Sequence, residues 1–329
     1  MDAPVVVSHR TAWLFYHTLS TARSAATQTD YGIAEPRLTP RERVARVRTA
    51  LLVCGIPASE LSELDVLVSF AADRSHARGV RSHVLGSLLT EPDLVSVAPG
   101  LLAVSPSLAF VQAATWMEPL ELLEWGFELC GDYQRRLLDG SGYLERPALT
   151  SVCEIEACLD RHPGMRGARV ARRALARVRD RSRSPMETAL ALAVMLPPEQ
   201  GGLGCLDIEM NHRVVLPPEL RALCPSEHLE VDLFSPRAHA GIEYDGSAHA
   251  GLARRTRDAD RARALAALGI SQQVVTAGHL ASQLGFHRAL NGVARALGLE
   301  PRTDAAFQHR QNELRQELIR AWQHPSRQA

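Results

Sequence analysis

Lysine is missing from this chain: all 37 basic side chains among its 329 residues are arginine. A GC-rich genome accounts for that bias, and the consequence is chemical: no catalytic step here can use a lysine. Net charge is also missing, because 37 acidic residues balance the arginines. No global field therefore draws the chain to a polyanion, and any basic surface must be local. The six cysteines (Cys54, Cys130, Cys153, Cys158, Cys205, Cys224) include no C-x-x-C pair. In a chain this long, that pattern points away from a disulfide framework and toward reduced, buried thiols. The N-terminus lacks the basic and apolar regions of a signal peptide, and no run of about 18 apolar residues could span a bilayer. The expectation is a cytoplasmic protein with no membrane partner.

The length allows two modest domains, each with its own core. Residues 1–135 read as a small α+β domain. Its elements are a helix over Ser8–Leu19, a helix opened by Thr39-Pro40-Arg41-Glu42, and strands at Leu64–Phe70 and Gly79–Leu85. A hairpin follows across Leu94–Val104, then helices from Ser105-Pro106 and across Glu118–Leu129. Thr39, Pro40 and Glu42 supply an N-cap, a proline at N1 and a capping-box glutamate. Residues 136–182 read as an arginine-rich helical connector broken at Pro163-Gly164. Its arginines (Arg166, Arg169, Arg172, Arg173, Arg177 and others) form either a solvated face or a phosphate-contacting one. Residues 183–300 read in the order αβββαβ plus a further helix. The elements are a helix from Ser184-Pro185-Met186-Glu187 to Pro197-Pro198, then strands Gly204–Leu216, Leu229–Phe234 and Ala240–Asp245. A helix at Leu252–Leu268, a strand at Gln272–Thr276 and a helix at His279–Leu297 complete it. Residues 301–329 form a helical tail in which Phe307, Leu314, Leu318 and Trp322 recur at near-helical spacing.

The most informative stretch is Glu230–His249. Residues two apart in a strand point to one side, so Glu243 and Asp245 share a face and Ile242 and Tyr244 the other. Asp232 lies between Val231 and Leu233 on the preceding strand. If the strands pair, three acids converge, and clustered carboxylates are costly to ionise together unless a cation sits among them. An oxygen-only set suits Mg²⁺ or Mn²⁺ rather than zinc.

That element order, with acids at those strand positions, resembles the restriction-endonuclease-like fold of the PD-(D/E)XK superfamily. More closely, residues 184–297 resemble the nuclease-like domain related to very-short-patch-repair endonucleases that is common in actinobacterial proteins. The matching residues are Ser184-Pro185-x-Glu187, Val231-Asp232, Ile242-Glu243-Tyr244-Asp245-Gly246, His249, and Asp258-x-x-Arg261 before Ala264-Leu265-x-x-Leu268-Gly269. The superfamily's usual lysine is replaced by Asp245. The first domain resembles, through Ser8-His9-Arg10-Thr11-Ala12, Leu64–Phe70, Gly79-Val80-Arg81-x-His83 and Val104-Ser105-Pro106, the region related to AbiE-type antitoxins. Proteins of that sort often begin with a winged-helix DNA reader, and the stretch before Ser8 is too short for one.

The resemblance implies metal-dependent hydrolysis of DNA, with Asp232, Glu243, Asp245 and Glu187 as metal ligands. A bound ion would polarise the phosphate and lower the pKa of an attacking water. His249 is either a general base or a residue that fixes the turn. Arg254, Arg257 and Arg261 fall on one helix face opposite Ala262, Leu265 and Ala266. Arg257 and Arg261 are assigned to DNA phosphate, although Asp258 and Arg261 could pair with each other instead. Gly246 is expected to permit a tight exit turn. Cys205, His212, Cys224 and His228 have no zinc-finger spacing. Two copies could pair to cut both strands. The alternative from another class is a non-catalytic DNA-binding or antitoxin-like regulator that keeps the nuclease fold and meets a cognate toxin.

Overall fold

The structure is a computed structural model that describes residues 4–18, 39–86, 88–138, 142–222, 224, 226–246 and 252–323. It is a mixed α/β protein, 48% helical and 20% strand. Its internal contacts divide it into two compact units, Met1–Cys130 with Leu144–Val178, and Gly131–Tyr143 with Arg179–Ala329. The residues read as a connector are thus shared between the units. Among the described residues no helix is long and apolar enough to cross a membrane.

The first unit is built on a five-stranded sheet. Its strands are β1 (Val5–Val7), β2 (Leu64–Val68), β3 (Val80–Val84), β4 (Leu94–Ala98) and β5 (Leu101–Val104), in the order β3-β2-β1-β5-β4. β1 was not expected from the sequence, yet it is the central strand, antiparallel to β2 and parallel to β5. Its three valines give the period analysis too little to work with, and its place is set by partners far along the chain. The helices are α1 (His9–Tyr16), α2 (Pro40–Val53), α3 (Pro106–Ala113), α4 (Pro119–Cys130), α5 (Val152–Arg161) and α6 (Ala168–Leu175). Two short strands, β6 (Tyr133–Arg135) and β7 (Tyr143–Glu145), lie between α4 and α5 in sequence. α2 opens as its sequence dictates: Thr39 Oγ1 accepts from the Glu42 amide, and Glu42 Oε2 accepts from the Thr39 amide at 2.8 Å. α6 buries Ala168, Ala171 and Leu175 while Arg169, Arg172 and Arg173 stay exposed. Those arginines are therefore the outer stripe of an amphipathic helix.

The second unit holds α7 (Pro185–Met195), β8 (Glu209–Val215), β9 (His228–Ser235), β10 (Ala240–Asp245), α8 (Leu252–Ala267), β11 (Ser271–Thr276), α9 (Ala277–Ala281), α10 (Gln283–Ala296) and α11 (Ala305–Gln323). Strand order is β11-β10-β9-β8. β8, β9 and β10 form an antiparallel meander, and β11 runs parallel to β10. A parallel neighbour needs a crossover, which α8 provides. Gly269, at φ +73°, ends that crossover in the left-handed conformation that favours glycine. A core cluster of Val214, Leu216, Leu229, Val231, Phe234, Ala264, Leu265 and Ile270 packs α8 on the sheet. α7 is buried on all sides from Ala189 to Met195, as its alanine-rich apolar sequence requires.

Two details depart from expectation. The helix anticipated over His279–Leu297 is two helices, because Ser282 is extended and its side chain accepts from the Gly285 amide, capping a fresh start. The buried stripe of α8 is Ala264 and Leu265, while Ala266 is exposed. The helix therefore sits rotated from the face inferred from Ala262, Leu265 and Ala266.

Candidate functional site

The antiparallel pairing of β9 with β10 aligns Leu233 with Ile242, both fully buried. Asp232 and Glu243 are the next residues outward on the two strands, and the Tyr244 amide donates to Asp232 Oδ2 at 2.8 Å. Glu187 is the N3 residue of α7. Its amide donates to the Ser184 N-cap oxygen, and its carboxylate accepts from the Arg183 amide (2.9 Å), Ser184 Oγ (3.0 Å) and Asn211 Nδ2 (2.7 Å). The fold thus brings three of the four sequence-selected acids into one electrostatic group.

Burial raises the Glu187 carboxyl, with the Asp232 charge adding to it and the three donors opposing it. Burial likewise raises Asp232, against its Tyr244 hydrogen bond and the charges of Arg261 and Arg183. Glu243 is pushed up to about 7, by burial first and then by Asp232. Three neighbouring carboxyls all held above their ordinary range form a site short of positive charge.

Two arginines partly supply that charge. Arg261 of α8 donates to Glu243 Oε1 and to the backbone oxygen of Glu230. Arg183 forks onto both carboxylate oxygens of Glu230, two residues before Asp232 on the same side of β9. Arg261 therefore turns toward the acids and is half-buried, whereas Arg257 is exposed. Asp245 closes β10 in register with Thr276, and its charge adds to burial in raising the Tyr244 phenol. His249 lies outside the described residues, as does the Arg254 side chain. Gly246 does not have a positive φ; a Cβ there would press on the Tyr244 ring at 3.2 Å, so close packing rather than turn geometry favours glycine.

No three of the four acids bring carboxylate oxygens within 4.8 Å of one another; among the described residues the one such group of ligating side chains is Asp93, Cys158 and His162, in the first unit. Cys205, His212, Cys224 and His228 form no such group either. A magnesium ion asks less than three carboxylates: it is commonly bound through one or two, with waters and substrate phosphate completing the octahedron. Asp232 and Glu243, oxygen donors on adjacent strands with raised carboxyls, fit that demand. Sequence reasoning missed Glu230, Asn211 and Arg183 as members of the group. Strand period alone would have placed Glu230 beside Asp232, while Asn211 and Arg183 are joined to it only by the fold. No family model matches this chain, and no curated protein or solved structure matches it.

Proposed function

We propose that the second unit has the restriction-endonuclease-like fold and hydrolyses phosphodiester bonds in DNA with a magnesium or manganese ion held by Asp232 and Glu243. The observation that carries the reading is the pairing of these two part-buried carboxylates across β9 and β10, with Glu187 adding a third negative charge. The element order α7-β8-β9-β10-α8-β11 supports it as well. The ion, when bound, supplies a water of lowered pKa and polarises a phosphate oxygen. Asp232 is oriented by the Tyr244 amide, and Glu187 by Asn211 and its helix cap, so neither needs to reorganise to present a lone pair. Arg261 neutralises Glu243 in the absence of an ion, and its guanidinium has the fork geometry that suits a substrate phosphate.

The test is cleavage of plasmid and single-stranded DNA by the full chain, in Mg²⁺, Mn²⁺ and EDTA, with Asp232→Asn and Glu243→Ala beside wild type. Expected is nicking in the metal arms alone, reduced at least about a hundredfold by either substitution, or about 2.7 kcal/mol of barrier. Folded wild type that cleaves nothing in either metal, or Asp232→Asn cleaving at the wild-type rate, refutes the reading.

One observation favours a second reading. Glu187 has three donors, and Arg261 already sits on Glu243, so the group is closed without an ion. On that reading the protein is a regulator that binds DNA or a cognate toxin on a retained nuclease scaffold. Absence of metal-dependent cleavage together with salt-sensitive DNA binding selects it.

A further inference from the structure

The first unit contains a cluster that the reading above does not use. Asp93 ends a short 3₁₀ turn (Glu91–Asp93) immediately before β4 and is completely buried. Cys158, also completely buried, and His162, 9% exposed, lie one turn apart on α5 and its C-cap, so their side chains leave the same helix face. The spacing is fixed by the backbone, since the His162 amide donates to the Cys158 carbonyl oxygen at 3.1 Å. One ligand atom from each of the three residues falls within 4.8 Å of the others.

A buried ion-pair cluster would account for Asp93 by itself. Arg161 Nη2 donates to its Oδ1 at 3.0 Å, and Thr90 donates to Oδ2 through both hydroxyl and amide. It accounts for His162 less well: Nε2 is buried and lies 3.1 Å from Asp93 Oδ2, an ion-pair distance when the ring is protonated, but makes no hydrogen bond of good geometry. Two donor atoms that are close but not aimed at each other have the arrangement of ligands converging on a third atom. Around a tetrahedral zinc with bonds of about 2.0–2.3 Å, ligand atoms lie roughly 3.3–3.8 Å apart, a range that falls between the 3.1 Å of the histidine–aspartate pair and the 4.8 Å within which the three ligand atoms lie. The carboxylate retains an acceptor position, since three of its roughly four are taken.

We propose that Asp93, Cys158 and His162 bind a zinc ion that ties α5 to the turn preceding β4. The mixed nitrogen, sulfur and oxygen set suits zinc and not magnesium or calcium. Thiolate and carboxylate offset the ion's two charges, and three protein ligands leave one position for a water. A cysteine nucleophile with histidine and aspartate support is the competing chemistry, and the site is wrong for it. The thiol has no exposure, and burial, with Asp93, pushes it up to about 12, so it stays protonated without a metal. A bound cation ionises such a thiol and releases its proton to solvent.

The experiment uses the full chain purified without a metal-affinity tag. Bound metal is measured, stripped with a chelator and restored with Zn²⁺ against a chromophoric competitor, then with Co²⁺ as the spectroscopic probe. Expected is one tight equivalent, and a thiolate-to-cobalt charge-transfer band with tetrahedral ligand-field bands. The band disappears and zinc affinity falls at least about a hundredfold in Cys158→Ser, while Cys153→Ser, an exposed thiol on the same helix, leaves both unchanged. Should Cys158→Ser fail to fold, His162→Gln and the zinc-dependent rise of the wild-type melting midpoint carry the test. Stripped, folded wild type that gives no thiolate band with Co²⁺, or a band that survives in Cys158→Ser, overturns the proposal. Both readouts are independent of nuclease activity, so failure here and failure of the acid site are separable.

Discussion

Asp93 in the first unit, buried, and Glu243 in the second, part-buried, are carboxylates each beside an arginine, and their titrations are displaced in opposite directions. Burial by itself would raise Asp93, but hydrogen bonds from Thr90, the neighbouring imidazole of His162 and the Arg161 guanidinium outweigh it and hold the carboxyl below its ordinary range. Glu243 has Arg261, yet burial and the charge of Asp232 dominate and lift it to about 7. Donors outnumber like charges at the first site, and the reverse holds at the second. A lone arginine does not decide the state of a buried acid; the balance of everything facing it does. The first cluster is built to keep its charge and the second to shed it or bind a cation.

The comparison breaks most visibly if Asp93 is removed. Asp93→Ala removes the buried acceptor shared by Arg161, Thr90 and the His162 ring, a loss of about 2–3 kcal/mol. The same truncation at Glu230, whose partner Arg183 is 43% exposed, should cost under about 1 kcal/mol. Urea unfolding followed by tryptophan fluorescence reads the first unit selectively, because Trp13, Trp116 and Trp125 of the four tryptophans belong to it. Equal costs at the two sites would void the contrast.

A sharper form is pH dependence in EDTA. Asp93 is lowered, so its contribution is complete above about pH 4 and is lost as pH falls through its folded value below that. Glu243 is raised from 4.5 to about 7, so the native state holds the extra proton between those values. Its contribution is complete below about 4.5 and is lost as pH rises to 7, an effect of about 3 kcal/mol. Thermal melts from pH 4.5 to 8 should therefore show a falling component that Glu243→Gln removes. A flat profile in wild type would mean that Arg261 outweighs Asp232 after all. Arg261→Ala should steepen the profile and cost about 2 kcal/mol at pH 8, since it removes charged hydrogen bonds to Glu243 and to the Glu230 carbonyl.

How much of this the sequence disclosed depends on the range of the interaction. The bounds of β10, Ala240–Asp245, and the start of α2 at Pro40 follow from strand period and from capping chemistry, both local. Asp232 and Glu243 as neighbours followed from the same period once their strands were taken to pair. What could not be read is where a long side chain goes. The helix face puts Arg261 on the side of the acids, but only the fold shows its guanidinium reaching Glu243 and the Glu230 carbonyl. β1 escaped because three valines acquire a place only from β2 and β5, and the break at Ser282 because both sides keep helical period. Cys158 and His162 stand four residues apart, a spacing the sequence reading passed over, and Asp93 joins them only through tertiary packing.

The smallest expected effect concerns the arginine stripe of α6, a choice the sequence left open. Arg172 pairs with Asp160 at 2.7 Å, but the two side chains are 46% and 72% exposed, so solvent screens the pair and Arg172→Ala should shift stability by less than about 0.5 kcal/mol. The informative measurement is therefore binding. With Arg166, Arg169, Arg172 and Arg173 all changed to Gln, a solvated stripe leaves the salt slope of DNA binding unaltered, whereas four lost phosphate contacts would lower it by roughly 3–4. The exposed face of α6 and its buried Ala168, Ala171 and Leu175 are what any amphipathic helix at a surface would show, so an unaltered slope is expected. A slope that drops by that amount would place phosphate recognition on the first unit and make α6, rather than the acid group, the part of the chain that meets DNA.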